Sequence, residues 1–257
     1  MKRRLFVFDV DGTLIPYGSS AAPADCVAAA LRKLRSLGHL TALCTGRTLC
    51  DIEENLLSVG FDGIISGGGS NIRSQGKCIR QDVIEPELLR LVVDQIAACK
   101  ITCVLEGTHC FYYAGHGSRS LSWDFPWLEA GSDVTGTENI EKFTAHVSSQ
   151  EEFDRIRPFL ETRFEIYTIE EGRFYEMALR GRNKAAAICQ LTEHMRVSLE
   201  DVVAFGDSRN DYSMLQIAGT GIVMGNAPED VKAIASFVTG SVAEHGVVTG
   251  LRWLGVI

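Results

Sequence analysis

Short apolar runs that stop at polar or glycine-rich sequence alternate along this chain with stretches whose apolar residues recur three and four apart. Leu5-Phe6-Val7-Phe8 is such a run, stopping at Asp9, and it predicts a strand buried on both faces of a parallel sheet. Val27, Leu31, Leu34 and Leu37 follow at helical spacing until Gly38. Leu40-Thr41-Ala42-Leu43-Cys44 reads as a second strand ending in Thr45-Gly46-Arg47. Residues 49–59 read as a second helix closed by Gly60, and Gly63-Ile64-Ile65-Ser66 as a third strand running into Gly67-Gly68-Gly69. Strands alternating with helices predict βαβ units on a parallel sheet.

From about residue 81 the pattern changes. An amphipathic helix is expected over 86–100, strands over 101–105 and 110–113, and irregular chain over 115–141 around Trp123, Pro126 and Trp127. A strand over 143–147, a helix over 150–160 and a hairpin of 164–169 with 173–179 around Glu171-Gly172 complete this section. Consecutive strands and hairpins predict an antiparallel sheet with helices on one face. After residue 183 the alternation resumes with a helix from Lys184, strands over 202–205 and 221–224, and a helix over 211–218 between them. The expectation is one parallel α/β domain built from 1–80 and 183–257, interrupted by an inserted domain over 81–182.

Composition narrows the class of protein. With 46% hydrophobic and 23% charged residues in 257, the chain is an ordinary globular one, which excludes disordered, collagen-like and disulfide-scaffold classes. A net charge of −8 predicts no nucleic-acid partner, since phosphate-backbone binding rests on clustered Lys and Arg. No apolar stretch reaches the roughly 18–20 residues of a membrane span, and Lys2-Arg3-Arg4 leads into a strand rather than a cleavable apolar segment. These features predict a cytoplasmic protein without a membrane partner, its oligomeric state (monomer or homodimer) left open. The eight cysteines are expected as reduced thiols. Cys99, Cys103, His109, Cys110 and His116 lack the second CxxC-type pair of a zinc site and read as core thiols and loop histidines.

In parallel α/β sheets functional groups collect at the carboxyl ends of strands. Three such ends here carry polar clusters: Asp9-Val10-Asp11-Gly12-Thr13, Thr45-Gly46-Arg47, and Gly206-Asp207-Ser208-Arg209-Asn210-Asp211. Taken singly, Asp9 and Asp11 are also what an Asp-Gly turn carries, and Asp207 and Asp211 are ordinary helix caps. Their joint occurrence points to carboxylates converging on one rim, where they repel each other and require a cation. An all-oxygen donor set suits Mg2+, which in turn favours phosphoryl oxygens as further ligands.

These motifs resemble the haloacid dehalogenase (HAD) superfamily of phosphotransferases, in particular its Cof-type phosphatase branch, over essentially the whole chain. Asp9-Val10-Asp11-Gly12-Thr13 is similar to the first motif, Thr45 with Gly46-Arg47 to the second, Lys184 to the third, and residues 206–211 to the fourth, G-D-x-x-N-D. Met224-Gly225-Asn226-Ala227 and the residues up to Gly246-Val247 are similar to the tail of that branch. The sequence departs from the pattern at Gly68-Gly69, Leu179 and Asn183-Lys184-Ala185 without losing a catalytic group. The resemblance implies a Rossmann-like core with an α/β cap inserted over 81–182, and a phosphatase acting on small phosphorylated metabolites such as sugar phosphates. It implies Asp9 as nucleophile and Asp11 as acid/base. Mg2+ would lie on Asp9, Asp207 and the carbonyl oxygen of Asp11; Thr45, Gly46, Arg47, Lys184 and Asn210 would bind the phosphoryl group, and Asp211 would orient Lys184 or a metal-bound water. Trp123, Trp127, His116 and Arg119 are candidate substrate contacts in the cap. A phosphomutase or a dedicated sugar-phosphate-pathway phosphatase on the same scaffold, and a non-catalytic phosphometabolite-binding regulator, remain as alternatives.

Overall fold

The computed structural model of the chain describes residues 2–115, 124–131, 134, 139–169 and 172–257. It divides into two units, one of residues 1–47, 51–80 and 183–257, the other of 48–50 with 81–182. In chain order the strands of the first unit begin with β1 (Leu5–Phe8), β2 (Leu40–Cys44), β3 (Gly63–Ser66), β4 (Asn71–Ser74) and β5 (Lys77–Gln81). The second unit carries β6 (Thr102–Gly107), β7 (Phe111–Gly115), β8 (Trp127–Leu128), β9 (Ile140–His146), β10 (Phe164–Ile169) and β11 (Phe174–Leu179). The chain then returns to the first sheet with β12 (Val202–Gly206), β13 (Thr220–Val223) and β14 (Phe237–Val238).

Every residue of β1 is fully buried, as its unbroken apolar run requires of a central strand. The sheet order is β14-β13-β12-β1-β2-β3-β4-β5, with β1 parallel to both β2 and β12. Phe8 lies opposite Leu43 on one side and Phe205 on the other, so the residues that follow these three strands emerge side by side. On one face pack α1 (Asp25–Ser36) and α7 (Gly246–Trp253), which contact each other. Helices α5 (Lys184–Met195) and α6 (Tyr212–Ile217) share a core with Val7, Ala42, Ile65 and Ala204 of the strands through Ile188, Leu191 and Met214. Asn183 caps α5 by accepting the Ala186 N–H at 2.9 Å, which fixes where Lys184 starts the helix.

One expectation for this unit is corrected. Residues 49–59 are not one helix but a 3-10 turn, Leu49–Asp51, and the short helix α2 (Glu54–Leu57). Glu53, at ψ 141°, breaks the run, while Ile52, Leu56 and Val59 still point inward and produce the helical spacing. The parallel core is extended at one side by β4, which pairs antiparallel with β3. The β4–β5 connection is Gln75-Gly76, both at positive φ (49° and 77°), the two-residue geometry that suits a hairpin's twist.

The second unit is a sheet of order β10-β11-β9-β6-β7-β8, antiparallel except for the β7–β8 pair. Alternate residues Cys103, Leu105, Phe143, Ala145, Tyr175 and Met177 meet α3 (Pro86–Ala98) and α4 (Gln150–Leu160) in a core of its own. Lys142 is buried with its ammonium on Glu176 (2.6 Å) and Glu106 (3.1 Å). Burial alone would lower its proton affinity, but the two carboxylates outweigh it and keep the charge. Trp127 packs against Tyr113 with ring centroids 5.5 Å apart and the rings tilted by 33°, whereas His116, Arg119 and Trp123 lie outside the described residues. Among the described residues no helix is long and apolar enough to cross a membrane.

Candidate active site

The rim formed by β1, β2 and β12 carries Asp9, Thr45 and Asp207, and the fourth polar group, Lys184, enters from the first turn of α5. The Lys184 ammonium donates to Asp9 Oδ1 at 2.5 Å and to Asp211 Oδ1. The other oxygen of Asp211 accepts the main-chain N–H groups of Asp207 (2.9 Å) and Ser208 (3.0 Å), so this carboxylate fixes both the lysine and the loop after β12. Lys184 is only 2% exposed, and burial by itself would discharge it; the flanking Asp211 and Asp9 hold it protonated instead.

Asp207 is clamped on both oxygens. Thr13 Oγ1 donates to Oδ1 at 3.0 Å, while the Tyr17 hydroxyl (2.9 Å) and Asn226 Nδ2 (3.2 Å) donate to Oδ2. Asn226 also donates to the Gly12 carbonyl, joining the chain's tail to the loop after β1. Gly12 has φ +78°, and a Cβ there would fall 2.2 Å from Asp207 Oδ2, so only glycine lets the two loops approach.

One carboxylate oxygen from each of Asp9, Asp207 and Asp211 lies within 4.8 Å of the others, and all three residues are buried. Burial pushes Asp9 well above the usual carboxylate range, reinforced by Asp211 and Asp207 and opposed by Lys184. Asp207 is pushed up to about 6 by burial and then by Asp211. This accumulation of negative charge, all on oxygen donors, fits a hard divalent cation. Asp211 is already spent on Lys184 and two amides, which leaves Asp9 and Asp207 as the carboxylates that could hold such a cation. Asp9 Oδ2 accepts no hydrogen bond from a described residue.

Asp11 and Arg47 form a two-pronged pair: Nη2 donates to Oδ1 at 2.7 Å and Nε to Oδ2 at 2.8 Å. Nη2 also reaches the Ser19 carbonyl (3.1 Å) and Nη1 that of Asp51 (3.3 Å). Arg47 therefore ties the loop after β1 to the rim through Asp11 and Ser19. Thr45 Oγ1 accepts the Arg47 N–H at 3.1 Å, which leaves the hydroxyl hydrogen to donate elsewhere. Open space lies beside Gly46. Asn210 is exposed in the 3-10 turn Arg209–Asp211 and accepts from Ser208 at 2.7 Å, without joining the Lys184 network.

Thr13, Tyr17 and Asn226 were not singled out as functional by sequence. Thr13 and Asn226 sit inside motifs that could have pointed to them; Tyr17, in a loop without a pattern, gives no such signal.

An α/β core that gathers carboxylates, a lysine and a threonine at three parallel strand ends is defined as a class by that rim. Residues 6–251 match the model of the haloacid dehalogenase-like hydrolases, and the chain belongs to that family. It is 29% identical over 271 residues to the HMP-PP phosphatase of Yersinia enterocolitica, covering 98% of this chain and 95% of that one. It is 27% identical over 253 residues to the 5-amino-6-(5-phospho-D-ribitylamino)uracil phosphatase YcsE of Bacillus subtilis, covering 97% and 94%. Among solved structures, a protein from Geobacillus kaustophilus superposes with a TM-score of 0.86 at 25% identity, each chain covered in full. The fold is also that of a HAD subclass IIB sugar phosphatase, with a TM-score of 0.83 at 24% identity over 99% of this chain and 100% of that one. The chain is a HAD-type phosphatase, a phosphoric monoester hydrolase.

Proposed function

We propose that this phosphatase hydrolyses small phosphorylated metabolites, sugar phosphates foremost, through a phosphoryl-aspartate on Asp9 and with Mg2+ as cofactor. The observation that carries this reading is Asp9 itself, buried at the end of β1 within a cluster of three carboxylates, with one oxygen on Lys184 and the other accepting no hydrogen bond from a described residue. Asp9 Oδ2 attacks phosphorus in line and the bond to the leaving oxygen breaks, with Asp11 supplying the proton. Water then attacks the phosphoryl group, Asp11 takes its proton, and inorganic phosphate departs with Asp9 restored. Thr45 Oγ1 and Lys184 Nζ donate to phosphoryl oxygens, and Arg47 positions Asp11. Asp9, Asp207 and the Asp11 carbonyl would hold Mg2+, which offsets the repulsion between an anionic nucleophile and an anionic substrate. The names of YcsE and of the sugar phosphatase with this fold support a small phosphate ester as substrate. By the same resemblance, residues 81–182 act as the cap that selects it.

A screen for phosphate release over phosphorylated metabolites tests the reading. Release is expected with Mg2+, and its loss with EDTA or in Asp9→Asn. An isomerised sugar phosphate as product would make the enzyme a mutase; full activity after exhaustive chelation would remove the cation.

A further inference from the structure

Tyr17 is 64% exposed, yet its hydroxyl holds a carboxylate that is 2% exposed. It belongs to the loop between Ile15 and α1, which is tied down at Ser19 by the same Arg47 that pairs with Asp11. A carboxylate oxygen accepts about two hydrogen bonds. Asp207 Oδ2 has both, from Tyr17 and Asn226, whereas Oδ1 has only that of Thr13. The clamp therefore fixes the rotation of the carboxylate and leaves its one open position on Oδ1.

We propose that Tyr17 is a positioning residue of the divalent-cation site, its phenol orienting Asp207 so that Oδ1 is presented to the ion. This rests on the cation assigned above. Hydrogen bonds to a ligating carboxylate set its orientation, and losing one typically costs 10- to 100-fold in metal affinity. Thr13 and Asn226 are built into the first unit's loops, so their removal disturbs more than Asp207. Tyr17→Phe removes one hydroxyl from an exposed ring and nothing else.

The test is a calorimetric titration of the full chain with Mg2+ alone, for wild type, Tyr17→Phe and Asp207→Asn, paired with melting curves in EDTA and in rising Mg2+. The expected result is cooperative melting of both wild type and Tyr17→Phe in EDTA, a Kd for Mg2+ raised about 10-fold in Tyr17→Phe, and no binding in Asp207→Asn. The Mg2+ concentration giving half-maximal thermal stabilisation should rise in step. An unchanged Kd would make Tyr17 idle, and a tighter one would make its hydroxyl a competitor of the ion; either overturns the proposal. If wild type itself took up no Mg2+, the cation reading beneath it would fall instead.

Discussion

Lys184 sets burial against charge at the centre of the rim. It is tolerated because Asp9 and Asp211 both accept from it, and removing it leaves two buried carboxylates facing each other. Breaking a buried pair from one side costs about 3–5 kcal/mol, so Lys184→Met should lose that much in urea unfolding; a loss below about 1 kcal/mol would mean that water screens the site. The roles proposed for Asp9 and Asp11 can be separated by leaving group. An alkyl phosphate leaves as a basic alkoxide and needs the Asp11 proton, worth on the order of 10²–10⁴ in rate, while p-nitrophenyl phosphate barely does. With the aryl ester, Asp11→Asn should give a burst of nitrophenol near one per site followed by slow turnover, and Asp9→Asn no burst. Equal slowing of the first turnover for aryl and sugar phosphates would remove Asp11 from acid catalysis. Away from the site, His39 is buried with Nδ1 accepting the Arg4 N–H at 3.2 Å, and burial followed by the Arg4 charge lowers its proton affinity. The unfolded chain takes up a proton near pH 6.5 that the folded one refuses, so this contribution to stability is complete above that pH and declines as pH falls through it. Urea midpoints at pH 7.5 and 5.5 should fall further apart in wild type than in His39→Asn, and equal gaps would exclude the imidazole as the cause.

At the scale of elements, the sequence was most legible where burial is complete. β1, β2 and β12 are uninterrupted apolar runs, and with their polar sequels they disclosed both the sheet and its reactive edge. β4 and β5 did not show, because Asn71-Ile72-Arg73-Ser74 and Lys77-Cys78-Ile79-Arg80-Gln81 lie toward the sheet's edge and need no apolar run. Residues 49–59 misled for the opposite reason: turn and short helix bury the same spacing a helix would. The site divides likewise. Strand-end residues follow from parallel pairing, but the Arg47–Asp11 pair and the Tyr17 clamp depend on loop paths that no periodicity encodes. Helix α5 shows what a legible element still requires. Asn183 holds its first turn through the Ala186 amide, and Asn183→Ala should cost about 1 kcal/mol while Asn183→Gly costs only a few tenths. Denaturation midpoints would check the ranking; a reversed order would mean that the cap does not set the helix start.

At the scale of the whole molecule, the two units have separate cores with no residue in common: Ile84 through Met177 in one, and Leu5 to Ile72 with Ala187 to Val231 in the other. Each unit also closes on itself where the chain passes between them. In the inserted unit, Arg182 Nε meets Asp82 Oδ2 at 2.9 Å, so its two ends are pinned together. In the first, Arg80 donates to the Gly69 carbonyl at 2.6 Å and to Gln190 of α5, and a Cβ on Gly69 would fall 2.5 Å from the Asn183 carbonyl. Residues 80 and 183 are thus tied to the same corner of the first unit. Closing a short loop there costs little chain entropy, since that cost grows only with the logarithm of length. Deleting 81–182 and joining 80 to 183 through a short glycine linker should therefore leave a chain that unfolds cooperatively and still binds Mg2+. It should lose its ranking among large phosphorylated metabolites, because the deleted unit is the one proposed to supply the contacts that select them and the exclusion of water. Circular dichroism melting and Mg2+ calorimetry would establish the fold of the joined core, and the phosphate-release screen would compare its substrate order with that of the parent. If the order were retained, selection would have to reside on the rim of β1, β2 and β12 itself.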